Sequence, residues 1–467
     1  MTRTLAQEVA AFAAAVREGA ENLRLRTAAA DRVADLIGNS LLATREPTAS
    51  AVFQVARGWG GAATTSVVGL PGRLPTASAA LVNGTLAHAM DFDDSHMLSV
   101  LHPSAAVIPA ALAAAQSAEA DSGALLDAVN VGTEVCIRLG VAGYNQGLGN
   151  SVFFERGQHA TSICGTLGAA VAAAMLLGLD ADGIASAMGI AASSGAGLLE
   201  ANRAGGTVKR MHCGWAAHAG VAAAELARAG VTGPPSVLEG RFGFFQAWCG
   251  DLARPYAVTD ELGERWEVDS IIVKPYPCNH FTHPGIDAAL QLRSQGVEGA
   301  AVTEGELRVP TPMVRTIGEP TDVKAAPPTG YAAAFSGPFT VAAALLGGGG
   351  LGVWFEDFTD EAAQDADRQE LARRIRCVAD PELDGIFPHR LPAVLRVRTH
   401  DGAEHEARVH TSKGCPEAPL TAEEKERKFL LSAGTVLSEN RAARVLDAIR
   451  DLARGRPLGE ALALTVP

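Results

Sequence analysis

The stretch Met90–Val107, MDFDDSHMLSVLHPSAAV, places Asp91, Asp93, Asp94, His96 and His102 within thirteen positions of a chain otherwise rich in alanine. Carboxylates and imidazoles at this density hold a cation, solvate a loop, or move protons. A DFDD cluster holds magnesium against a diphosphate only when a second acidic cluster faces it, and none has suitable spacing here. His280-x2-His283 and His212-x5-His218 match no common zinc spacing, and the glutamate of an HExxH helix is missing. Neither a metal nor any other cofactor is expected. Asp93 and Asp94 are expected to be solvated or to cap a helix.

The cations complete the picture. Eight of the twelve histidines (His88, His96, His102, His159, His212, His218, His280 and His283) fall in or near breaks between predicted elements. Lysines are scarce, yet Lys209 lies in RAGGTVKRMHCG and Lys274 in IIVKPYPCNHFTH, three and six residues before a histidine. Lysine as a point charge and histidine as a switchable acid or base suit a small polycarboxylate. GGGGLG (Gly347–Gly352) satisfies a GxGxxG pattern formally, but it follows a helix-like segment with no βαβ unit around it, so a flexible turn is expected rather than a dinucleotide loop.

Composition narrows the choice. The formal net charge of −13 disfavours nucleic acid and anionic membrane, so an anionic substrate must meet a local cluster of cations. Seven cysteines, scattered and never in a CxxC pair, fit reduced thiols in a cytoplasmic protein. The first residues, MTRTLAQEVAAFAAAVREG, lack the apolar centre of a signal peptide. The longest apolar run, Gly165–Leu179, is too short to span a membrane and reads as a buried core helix.

The alanine content and helical periodicity predict a mainly α protein. Ala105–Ala118 and Gly165–Leu177 read as helices, and no strand stands out before about residue 265. From Trp266 the texture changes: WEVDSIIVKPYP is β-branched, Leu307–Gly318 reads as a strand broken by prolines, and Ala393–Thr411 reads as a hairpin turning at Asp401-Gly402. Helices are expected at Gly285–Arg293 and Ser336–Leu346. After Pro419, Thr421 and Glu424 form a capping-box pattern before another helix. The expected architecture is a large all-helical domain from both chain ends (1–265 and 411–467) with an inserted α+β lid domain at 266–410.

HAMDFDDSH…HPSAAVIPAALA, GQHATSICGTLGAAVAAAMLLGL, NRAGGTVKRMHCGWAAHAGVAAAELARAGVTGPPSVLEGRFGF and VKPYPCNHFTHPGIDAAL resemble, in order, blocks of the MmgE/PrpD family. The resemblance covers essentially the whole chain. It implies an all-helical domain with an α+β lid, a homodimer, and metal-free chemistry on polycarboxylates: 2-methylcitrate dehydration, cis-aconitate decarboxylation or iminodisuccinate epimerisation. Carried onto this sequence, the site residues it implies are Asp91, Ser95, His102, His159, Lys209 and Lys274. Ser95 stands where threonine is common, and Asn279 where decarboxylases carry a histidine, with His280 one position off. The loop from Ser95 to His102 is one residue longer than in the decarboxylases.

The family's reactions share proton transfer at carbon next to a carboxylate. Lys209 and Lys274 are expected to neutralise the developing charge, and His102 and His159 to exchange the proton. Asp91 would orient a histidine or bind a substrate hydroxyl, and Ser95 would bond a carboxylate. His212 and Asn279 are expected to border the substrate, and Tyr276 to pack or line the cleft. The expected activity is a lyase, foremost a dehydratase of a 2-methylcitrate-like acid. The alternatives are a decarboxylase, an epimerase, and a binding protein for tricarboxylates.

Overall fold

A computed structural model describes residues 3–467. The fold is mainly α with a small mixed sheet, and the chain forms two compact units. One runs to Ile271 and resumes at Phe429–Pro467; the other is Ile272–Lys428.

The first unit begins with α1 (Leu5–Glu18), α2 (Leu23–Leu42) and α3 (Pro47–Gly58). Thr4 and Gln7 close a capping box over the first turn of α1, satisfying amides that the helix leaves open. A small hairpin follows, β1 (Thr65–Val67) with β2 (Leu70–Leu74), where no strand was expected. Then come α4 (Thr76–His88), α5 (Ser104–Ala118) and α6 (Ser122–Ala142). A second unexpected pair, β3 (Tyr144–Asn145) and β4 (Asn150–Ser151), leads to the short α7 (Val152–Glu155). Both hairpins are too brief for alternation to show in sequence. The rest comprises α8 (Ala160–Leu176), α9 (Ala181–Ala192), the short α10 (Glu200–Ala204), α11 (His212–Arg228) and the short α12 (Phe244–Trp248). Among the described residues, no helix is long and apolar enough to cross a membrane.

Every residue of α8 is buried, as is α5 from Ser104 to Ala115. Two helices this apolar on all faces must be surrounded by others, and alanine and glycine let the backbones come close. The tightest approach joins α4 to α11. A Cβ on Gly84 would lie 2.7 Å from Gly214 Cα, and one on Gly214 would overlap Leu81 O and Thr85 Oγ1. The contact lies about one turn from His88 and half a turn from His212, so it sets the spacing of the two helix ends that carry them. Gly214→Ala is expected to lower unfolding stability by about 1–3 kcal/mol, because the overlap is with backbone that cannot move aside. Chemical denaturation checks this, and an unchanged midpoint would contradict such close packing.

The second unit contains α13 (His283–Ser294), β5 (Val302–Val309) and α14 (Thr311–Ile317). Leu307–Gly318, expected as one broken strand, is thus a strand that ends at Val309 followed by a helix. Pro310 is the N-cap of α14 and Pro312 lies in its first turn, where a missing N–H is harmless. The β-branched segment after Trp266 forms the turn Glu267–Ser270 rather than a strand. With β6 (Ile375–Ala379), β7 (Ala393–Thr399) and β8 (Glu404–Val409), β5 makes a sheet of order β6-β5-β7-β8 in which only β5–β6 is parallel. The expected hairpin is β7–β8; Thr399 Oγ1 donates to Asp401 Oδ1 (2.6 Å) and Gly402 takes φ 81° in its turn.

The helix Gly337–Leu346 ends on Gly347 in the left-handed region, as the glycine run predicts. The loop's Gly349 N–H and the Trp354 N–H both donate to Asp357 Oδ2 (2.8 and 2.7 Å). Its amides are satisfied by an internal carboxylate, the opposite of a phosphate cradle. The capping box of Thr421 and Glu424 is also present, with both reciprocal bonds formed.

Candidate active site

The loop between α4 and α5 carries the aspartates. His88, the last residue of α4, bonds through Nδ1 to Asp93 Oδ2 at 2.9 Å, with both side chains buried. Asp94 is buried too; its Oδ1 accepts from Ser104 N–H (3.2 Å) and its Oδ2 from Ser104 Oγ (2.5 Å), which caps the first turn of α5. The expectation of solvated acids therefore fails for both, while the capping alternative holds for Asp94. Acids adjacent in sequence look like a wet loop until their partners, His88 and Ser104, are seen to fold over them. Burial pushes the Asp94 carboxyl up to about 7 against the pull of the Ser104 bonds, with Asp93 adding to the rise.

Further along, His96 bonds Ser99 Oγ through Nδ1 (2.8 Å), and its N–H donates to Leu101 O (2.9 Å), closing the loop on itself. Burial pulls His96 down to about 4. As pH falls from 6.5 towards 4 the unfolded chain binds a proton at His96 that the folded chain refuses, so this residue subtracts stability there. Asp94 acts oppositely: between 3.8 and about 7 the folded state holds a proton that the unfolded state has lost, so lowering pH through this window adds stability. Against wild type, His96→Gln is expected to gain stability on going from pH 7 to pH 5, by on the order of 1–2 kcal/mol. Denaturant midpoints at the two pH values measure it, and parallel curves would refute it.

His102 is held from two sides. Its N–H donates to Thr161 Oγ1 of α8 (3.1 Å), and its Nδ1 lies 2.7 Å from Asp94 O. A carbonyl can only accept, so Nδ1 carries a proton and Nε2 is the nitrogen left to gain or lose one. That atom is 3.7 Å from Asp91 Oδ1, and Asp93 Oδ2 is 3.7 Å from Nδ1 on the other side. Asp91, in the left-handed region at φ 51°, turns its second oxygen to Lys209 Nζ at 3.3 Å. Ser95 Oγ lies 3.5 Å from His102 Nδ1, at the limit of a hydrogen bond.

His159 is the N-cap of α8, and its N–H donates to Gly197 O at 3.0 Å. Its Nδ1 lies 3.0 Å from Nδ1 of His212, the first residue of α11, whose carbonyl accepts from Ser162 Oγ (3.1 Å). The rings make a row: His102 to His88 at 5.3 Å between centroids, His88 to His159 at 5.6 Å, His159 to His212 at 5.0 Å. Burial, then the neighbouring His88, Lys209, His212 and His102, hold His159 well below the ordinary imidazole range. Burial, then His88 and Lys209, pull His212 down to about 4.

The structure thus brings Asp91, Ser95, His102, His159, Lys209 and His212 together on the first unit. It adds His88, which sequence reasoning left without a role although it stands three residues before Asp91. His218 is not part of this group: its Nδ1 bonds Ala77 O (3.0 Å) and its ring stacks on Trp215.

Lys274, Tyr276 and Asn279 belong to the second unit. Lys274 is buried. Tyr276 is buried as well, and its hydroxyl donates to Asp287 Oδ1 at 2.6 Å. Asn279 Oδ1 accepts from Phe281 N–H (3.0 Å), capping the turn His280–Thr282, and the His280 ring packs 4.6 Å from that of His283.

His88, Asp91 and Asp93 offer donor atoms within 4.8 Å of one another, near enough for a cation. Their charge is already met from within the protein, by the Lys209 ammonium at Asp91 and the His88 ring at Asp93. A dication would compete with both of these groups for the carboxylates. The arrangement instead suits an anion meeting a lysine and a row of imidazoles, with a carboxylate tuning one of them.

The model of the MmgE/PrpD N-terminal domain matches residues 7–254 and that of the MmgE/PrpD C-terminal domain residues 276–454. Cis-aconitate decarboxylase of Homo sapiens is 30% identical over 435 residues, spanning 90% of this chain and 86% of that protein. A cis-aconitate decarboxylase-like protein of Aspergillus oryzae is 29% identical over 85% of this chain and 84% of its own. Cis-aconitate decarboxylase of Aspergillus terreus is 27% identical over 83% and 81%. With both family domains matched in order along its length, the chain belongs to the MmgE/PrpD family.

Proposed function

We propose that this protein is a lyase acting on a small polycarboxylate, and that its reaction is decarboxylation of a cis-aconitate-like unsaturated tricarboxylate. The observation that carries this reading is the group formed by Lys209, Asp91 and His102, a fixed cation and an oriented imidazole joined through one carboxylate. Relatives named as cis-aconitate decarboxylases, similar over more than four-fifths of the chain, favour decarboxylation within the family.

In that reaction the bond to one carboxylate carbon breaks and carbon dioxide leaves. The electron pair stays on the substrate and spreads into a conjugated carboxylate. The Lys209 ammonium is placed to stabilise this charge, and stabilising it is usually the largest catalytic contribution. A histidine then delivers one proton to carbon. His102 suits this role because carboxylates at 3.7 Å on both sides favour the ring while it carries a proton. His159 is the other candidate.

A second reading is dehydration of a 2-methylcitrate-like hydroxy acid, in which one histidine removes the α-proton and another protonates the departing hydroxyl. Asn279 favours it, since the family resemblance implies a histidine at this position in decarboxylases and the Asn279 side-chain oxygen is engaged in capping.

The test is incubation with cis-aconitate in D2O followed by NMR. Decarboxylation predicts carbon dioxide release and one deuterium on the product carbon. Turnover of 2-methylcitrate alone, with loss of water and a new ultraviolet absorbance, would transfer the assignment to the second reading. Inertness toward both acids would reject the lyase.

A further inference from the structure

His159 Nδ1 and His212 Nδ1 stand 3.0 Å apart. Two imidazole nitrogens at that distance share one proton, since two lone pairs would repel and two N–H groups would collide. One ring is therefore a donor at the shared edge and the other an acceptor. The outer nitrogen of His159 follows: Nε2 bears a proton when Nδ1 accepts, and is a base when Nδ1 donates.

The surroundings suit a neutral pair. Besides His212, His88 at the end of α4, Lys209 in the turn before α11 and His102 in the loop before α5 all act on His159 as cationic-type groups, and the carboxylates of Asp93 and Asp91 are paired with them. Lys209 and His88 act on His212 in the same sense. A second positive charge on either buried ring is thereby opposed. Gly197 closes over the couple: at φ 150° its Cβ would meet His159 Cβ at 3.1 Å and His212 Nδ1 at 3.5 Å, so only glycine lets this backbone lie against both rings.

We propose that the two rings form a proton relay, in which His212 is a positioning residue and proton partner for His159. This rests on the polycarboxylate-lyase reading of the same site, taking His159, the other candidate of that reading, as the ring that exchanges the proton with substrate carbon. In the delivering direction, the Nε2–H bond of His159 breaks as the C–H bond forms. The proton on Nδ1 of His212 moves to Nδ1 of His159. His212 then takes a proton from solvent at Nε2, the one proton that decarboxylation consumes. Neither ring ends with a net charge, and the pair resets when His159 Nε2 takes a proton from solvent, the Nδ1 proton passes back to His212 and His212 Nε2 returns one to solvent; the reverse of the delivering sequence serves proton removal.

Two measurements test the relay. The first needs no substrate: ring 15N shifts of histidine-labelled protein at pH 6, assigned with His159→Gln and His212→Asn. One ring is expected as the Nδ1–H tautomer, the other as Nε2–H, and neither as imidazolium. Two rings of the same tautomer, or an imidazolium in the pair, would overturn the proposal. The second is a proton inventory in mixed H2O and D2O. In His212→Asn the amide can still bond His159 but cannot pass a proton. Wild type is expected to give a bowed inventory and His212→Asn a straight one, with kcat about ten- to a hundredfold lower and KM little changed. An inventory and kcat unaffected by His212→Asn would also refute the relay. Should wild type turn over no polycarboxylate, the functional reading fails, while the nitrogen shifts still decide whether the rings are coupled.

Discussion

His102→Ala is expected to lower kcat for cis-aconitate by about 10²–10⁴-fold while KM stays within a few-fold, because it removes a proton-exchanging group and leaves the Lys209 cation in place. The geometry is specific. The Nδ1 bond to Asp94 O leaves Nε2, on the Asp91 side, as the one ring nitrogen able to exchange a proton. The bond to Thr161 uses the backbone N–H of His102, which alanine retains, so the link between the loop and α8 survives. Steady-state kinetics with circular dichroism on the same preparation would check both halves. A folded variant with kcat within tenfold of wild type would remove His102 from the chemistry and leave His159 as the acid.

Lys209→Met is expected to lower kcat/KM by about 10²–10³-fold, the size of effect seen when one preorganised charge-stabilising group is removed. Methionine keeps much of the chain's shape and deletes the charge. Asp91 would then lose the ammonium now at 3.3 Å, and its carboxylate would repel an incoming polycarboxylate. Citrate is expected to raise the melting temperature of wild type, and that stabilisation should disappear in the variant. Lys209→Arg should recover only part of the activity, since a planar fork does not reproduce a compact point charge. A Lys209→Met protein still stabilised by citrate to the wild-type extent would show that the substrate carboxylates are met elsewhere.

These variants probe residues that sequence reading had already selected, whereas the groups that govern them were harder to see. Periodicity located α5 and α8, because a helix apolar on every face has no other way to satisfy its backbone when buried. Turn and cap chemistry located the Asp401-Gly402 hairpin, the Thr421–Glu424 box and the glycine run at Gly347, each governed by a few adjacent residues. Where short-range signals conflicted, reading faltered. Val302–Val309 is strand and Thr311–Ile317 is helix, and the two prolines between them serve equally as strand breakers or as a helix start.

What the sequence determined by itself is therefore local and chemical: the helical class, the caps and turns, the family, and a supply of histidine, lysine and aspartate suited to an anionic substrate. Tertiary structure alone decided what those groups are. Asp93 and Asp94 have the same neighbours along the chain as a solvated loop would, and only the folding of His88 and Ser104 onto them makes them buried supports. His159 and His212 lie 53 positions apart, and become one proton-sharing pair because α8 and α11 begin side by side. Ionisation and tautomer depend on burial and on partners within a few ångströms, and in this site those partners are set by helix packing at glycines such as Gly84 and Gly214, not by adjacency along the chain.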